Sequence, residues 1–113
     1  MATNITYTFI LYFRGGTYIE SINATDVLHA THIWADRIAL AGQVEHLDGQ
    51  AFLKVFNNDI EVFQPNEIDT CPNVWHLFFL LGRHKMDIHI VKTSAEPEPS
   101  ARASRTTDAG AAR

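Results

Sequence analysis

The sequence predicts an α+β fold: a mainly antiparallel sheet of about four strands in two hairpins, with one long helix and a short second helix packed on one face. Three observations predict it. Gly15-Gly16 separates two runs rich in β-branched and aromatic residues, Thr6–Phe13 and Thr17–Ile22. A segment of helical period follows, and a second pair of apolar runs near residue 80 is split by Gly82-Arg83-His84-Lys85. Strands and helices do not alternate one by one, which argues against a parallel βαβ fold.

The first hairpin is the clearest element. A Gly-Gly loop takes the positive φ angles of a primed turn, whose twist matches the strands beside it. With the turn centred on Gly15-Gly16, Arg14 pairs with Thr17 and Glu20 falls opposite Leu11. Glu20 then shares a face with Phe9, Phe13, Tyr18 and Ile22. A carboxylate there belongs at a sheet edge, at an interface, or in a buried catalytic position.

Asn23-Ala-Thr25-Asp26 is a cluster of N-cap residues, so a helix is expected from about Asp26 to Ala41, with Gly42 as its stop. Val27, Ala30, Thr31, Trp34, Ile38 and Ala41 form its apolar stripe. His29, His32 and Asp36 occupy the opposite face. Residues 49–57 fit two descriptions. Asp48 can cap a short helix with Ala51, Phe52, Val55 and Phe56 inward, or the same residues can form a strand that turns into Ile60–Phe63. The helical stripe favours the helix. Pro65, Asn66, Asp69 and Pro72 mark Gln64–Pro72 as a loop.

The last hairpin runs from Asn73–Leu81 to Met86–Thr93. Closing it on Arg83-His84 pairs Leu81 with Met86, Phe79 with Ile88 and Leu77 with Ile90. One face is then uniformly apolar, and the other sets His76, Phe78 and Leu80 against Val91, His89 and Asp87. From Ser94 onward no large apolar residue occurs, and the composition predicts a disordered tail. The expected division is a single domain over 1–93 and a tail over 94–113.

The chain of 113 residues, 46% hydrophobic and 19% charged, suits one domain with its own core. The net charge of -4 does not favour nucleic acid or anionic lipid as partners. Arg14 with Arg83-His84-Lys85 would make only a small basic patch if the hairpin tips meet. One cysteine, Cys71, cannot form an internal disulfide, and no lysine or arginine adjoins it to lower its pKa. No signal peptide or membrane-spanning run is evident, and a cytoplasmic location is expected.

Two residue sets could carry chemistry. His29, His32 and Asp36, at helical spacings of three and four, could ligate a divalent transition metal; the alternative is a solvated polar face. Asp87 and His89 lie on one sheet face with His76 on the neighbouring strand, an arrangement used for general-base catalysis. The alternative there is cross-strand polar pairing. No cofactor is expected, because neither set has a complete ligand shell or an obvious nucleophile.

Tyr7-Thr-Phe-Ile-Leu11, Gly15-Gly-Thr-Tyr-Ile19, a helix carrying Trp34, and Asn73-Val-Trp75 before a final hairpin together resemble a group of small uncharacterised bacterial proteins. The resemblance implies no activity, ligand or catalytic residue. The function expected from the residues is a small non-enzymatic protein-interaction module, immunity- or antitoxin-like. The alternative is a small metal-dependent or histidine-based enzyme. Helices can cover only one face of such a sheet, so a twofold dimer is expected, with Phe9, Leu11, Phe13, Tyr18, Phe78 and Leu80 as interface candidates.

Overall fold

A computed structural model describes residues 5–94. The chain order is β1 (Ile5–Phe13), β2 (Gly16–Ala24), α1 (Val27–Ala41), α2 (Gly49–Asp59), β3 (Asn66–Glu67), β4 (Val74–Leu81) and β5 (His84–Ser94). The strands form one antiparallel sheet in the order β2-β1-β5-β4-β3. The fold is therefore α+β, with five strands rather than about four. The extra strand is β3, two residues inside the expected loop, which pairs Asn66 with His76 and Glu67 with Trp75. The expected tail lies outside the described residues from 95 onward.

Both turns fall one residue earlier than expected, and both registers move by two residues. The first turn is Arg14-Gly15, with φ of 50° and 87°, so Phe13 pairs with Gly16 and Glu20 falls opposite Phe9. Gly16 leaves room for a neighbouring side chain inside the strand. The Tyr18 ring folds back over it, and a Cβ at residue 16 would lie 2.7 Å from the Tyr18 hydroxyl. That hydroxyl accepts a bond from the Glu45 N–H at 3.2 Å. The second turn is Gly82-Arg83, with Gly82 at φ 62°, the Gly-X pattern of a type II′ turn. It pairs Leu81 with His84, Phe79 with Met86, and Leu77 with Ile88. A shift of two preserves which side chains share a face.

The helices form where their caps direct. Asp26 accepts from the His29 N–H at 2.8 Å, and Gly42 ends α1 in the left-handed region at φ 68°. Asp48 accepts from the N–H groups of Gln50 and Ala51, so residues 49–59 are helix and not strand. Ala51 and Ala41 are exposed, while Ala35 joins the buried stripe. The core lies between the helices and one face of the sheet. Trp34 stacks on Phe9 at 5.2 Å between ring centroids and meets Phe52 edge-on at 5.9 Å. Phe52 and Phe56 of α2 continue to Phe79 of β4 at 6.0 and 5.5 Å. Among the described residues the one buried polar side chain, Thr31, donates to the Val27 carbonyl at 2.7 Å. Among the described residues, no helix is long and apolar enough to cross a membrane.

Candidate functional site on the helix-free face

Alternate residues of every strand point away from the helices. On β1 and β2 these include Ile10, Tyr12, Thr17 and Ile19; on β4 they are Val74, His76, Phe78 and Leu80; on β5, Lys85, Asp87, His89 and Val91. Because β1 pairs with β5, the apolar residues of β1 and β2 are separated from Phe78 and Leu80 by the polar residues of β5.

The earlier turn of the second hairpin brings the histidines together. His76 lies opposite His89, not Val91, and Asp87 lies diagonal to His76. The imidazole centroids of His76 and His89 are 4.8 Å apart. The Nε2 of His76 is 2.5 Å from the Oδ1 of Asp87, and the Lys85 ammonium is 4.0 Å from Oδ2. Lys85 also sits 4.9 Å above the Phe78 ring. The hydrogen bond from His76 holds the Asp87 carboxyl below its usual range, and the nearby His76, Lys85 and His89 add to the effect against a smaller opposing effect of burial.

These side chains form the floor of an open groove of about 790 Å3. Its far wall is Asn66, Glu67, Ile68, Asp69 and Thr70. Asn73, at φ 69°, donates its N–H to the Glu67 carboxylate at 3.0 Å and fixes that wall to the start of β4. The groove thus holds an imidazole oriented by a carboxylate, a second imidazole beside it, and an ammonium. Cys71 is exposed and does not line it.

The other expected set is not assembled into a site. His29 uses Nδ1 toward the Thr25 hydroxyl at 3.3 Å, and His32 packs its ring edge-on against Phe56 at 5.3 Å. Asp36 instead faces a groove with Glu20, Arg37 and Leu40. Among the described residues, no three His, Cys, Asp or Glu side chains are placed to hold a metal ion.

Glu20 occupies edge strand β2 on the helix side, where Arg37 binds its carboxylate at 2.9 Å. The interface candidates divide between the two faces. Phe9, Leu11 and Phe13 are buried in the core at 0–2% exposure, so they cannot meet a partner in this fold. Tyr18 is half-buried beneath the same helices. Phe78 and Leu80 are exposed on the helix-free face. Sequence reasoning missed Val62 and Phe63, which are 73% and 59% exposed beside Phe78. A free Phe in a turn carries no periodic signal.

The fold and the groove define a two-layer α+β domain with one uncovered sheet face. Comparison of the chain with protein-family models, with curated proteins and with solved structures finds no match.

Proposed function

We propose that this chain is a small non-enzymatic protein-interaction module, immunity- or antitoxin-like, that takes a protein partner on the helix-free face of its sheet. The carrying observation is the layout of that face. Tyr12 and Ile19 on one side, and Phe78 and Leu80 on the other, are 46–66% exposed and flank the polar stripe of Lys85, Asp87 and His89. Aromatic anchors around polar groups are the usual composition of a protein interface. The four long strands, at about 4.8 Å spacing and roughly 27 Å length, present on the order of 500 Å2, against the ~800 Å2 per partner of a standard interface. An exposed free thiol, Cys71, suits a cytoplasmic setting.

Affinity capture from the native cell tests this reading. The wild-type chain should retain a protein that Tyr12→Lys and Phe78→Lys both lose. Equal retention by the wild type and both variants would overturn it.

A histidine-based enzyme is the second reading, favoured by the contact of 2.5 Å between His76 and Asp87. A screen of ester and amide hydrolysis separates the two. Turnover lost in both His76→Ala and Asp87→Asn would replace the interaction reading.

A further inference from the structure

The outer edge of β2 is bare. Phe13 and Gly16 close a two-residue turn as a hydrogen-bonded pair, and bonded and non-bonded pairs alternate along an antiparallel ladder. Gly16, Tyr18, Glu20 and Ile22 therefore direct their N–H and C=O groups to β1. Those of Thr17, Ile19, Ser21 and Asn23 point outward, and among the described residues none of them has a hydrogen-bond partner. Natural edge strands are blunted by charged side chains, a proline, a bulge or a covering segment. The one charge on β2, Glu20, points to the helix side and is neutralised there by Arg37, while Thr17, Ile19, Ser21 and Asn23 are uncharged and the register with β1 is unbroken. At the opposite edge β3 already occupies β4 at Trp75 and His76.

Beside this edge runs a groove of about 350 Å3 lined by Glu20, Asp36, Arg37, Leu40, Ala41 and Gln43. Leu40 is 83% exposed, more than any other large apolar side chain described. Arg37 gives one Nη1 bond to Glu20 and is 55% exposed, so its guanidinium keeps donors free. Asp36 has no cationic partner among the described residues. A surface holding both a spare guanidinium and a spare carboxylate is complementary to its own twofold image.

We propose that a second copy of this chain pairs its β2 antiparallel with this one across a twofold axis, joining the two sheets into one. A register centred on Ile19 sets Thr17 opposite Ser21 of the second copy and brings the two Ile19 side chains together. It also keeps the two Glu20 carboxylates from facing each other directly, which a register centred on Glu20 would not. The salt bridge between Glu20 and Arg37 places the last turns of α1 alongside this strand. The two α1 helices then meet, Leu40 is shielded, and Arg37 reaches Asp36 of the second copy. This contact leaves the helix-free face open apart from Ile19, which both contacts share, and Leu40 and Tyr12, each belonging to one contact alone, tell the two apart.

Light scattering on the full chain at micromolar concentration should read the mass of two copies. Ser21→Pro removes an outward N–H and no backbone bond to β1, at the loss of one exposed hydroxyl contact with Thr8 at 3.0 Å. Leu40→Lys puts a charge in the groove while suiting the last turn of α1, which has no basic residue. Each variant should halve the mass and leave the far-ultraviolet circular dichroism unchanged, whereas Tyr12→Lys should leave the dimer intact. If Ser21→Pro does not fold, Leu40→Lys alone decides. A wild-type mass of one chain, a dimer that survives Leu40→Lys, or separation of the copies by Tyr12→Lys would each overturn the proposal.

Discussion

The helix-covered face and the helix-free face are made from the same strands, yet alternate residues give them different character. On the covered face Tyr7, Phe9, Leu11 and Phe13 of β1 meet Met86, Ile88 and Ile90 of β5, all nearly inaccessible to solvent. On the other face β5 presents Lys85, Asp87 and His89, and β4 presents Phe78 and Leu80 to solvent. A period of two lets one strand commit half its side chains to packing and leave the other half facing solvent. The two faces can then be altered separately, because a substitution on one face leaves the other face's neighbours in place.

The largest expected effect tests that separation directly. Trp34→Ala should cost about 3–5 kcal/mol, since it opens a cavity between Phe9 and Phe52. Tyr12→Ala, on the helix-free face, should change stability by no more than about 0.5 kcal/mol. Urea denaturation measures both, and comparable losses would show that the faces are coupled.

Next comes the joint between the helices. A Cβ on Gly49 would meet the Ala39 carbonyl at an impossible distance, so the first turn of α2 rests directly on the backbone of α1. Gly49→Ala should destabilise by about 1–3 kcal/mol through overpacking, although alanine is the better helix former. An increase in stability would mean the helices can separate without loss. Asp48→Ala should cost about 1 kcal/mol, because two N–H groups at the start of α2 lose their acceptor. A thermal melt of this variant against the wild type measures it.

The smallest effect concerns the polar stripe and depends on pH. Asp87 has a depressed carboxyl pKa in the folded chain. Its contribution to stability is therefore present above the unfolded value of about 3.9 and is lost as pH falls through the folded value. Asp87→Asn should be less stable than the wild type at neutral pH, and the difference should vanish in acid. A difference independent of pH would show that Asp87 acts by shape rather than charge.

Much of the fold was legible because its signals are local. The caps Asp26, Gly42 and Asp48 and the stripe through Trp34 lie within a few residues of what they control. The candidate trio His76, Asp87 and His89 was legible because strand alternation fixes their common face. Register was not legible, since Arg14 takes a positive φ that only a few non-glycine residues adopt, and Gly15-Gly16 points to a turn one residue later. The interface set mixed both faces for a different reason. Each hairpin's alternation is local, but matching Phe9 of one to Ile90 of the other requires the pairing of β1 with β5. No turn between them specifies it. A two-residue strand such as β3 leaves no periodic trace at all.

That same central pairing has a kinetic consequence. β1 and β5 are the first and last strands of the described residues, and they join Thr6 to Ser94 and Tyr12 to Asp87. The middle of the sheet is therefore closed by contacts of high sequence separation, whose loop-closure entropy must be met before their packing contributes. During synthesis the first hairpin and both helices leave the ribosome with no β5 to complete their layer. Phe9 and Leu11 stay partly uncovered until nearly all of the first 94 residues have emerged. Folding should accordingly be slow for a chain of this length, and a chain interrupted before β5 should be prone to aggregate.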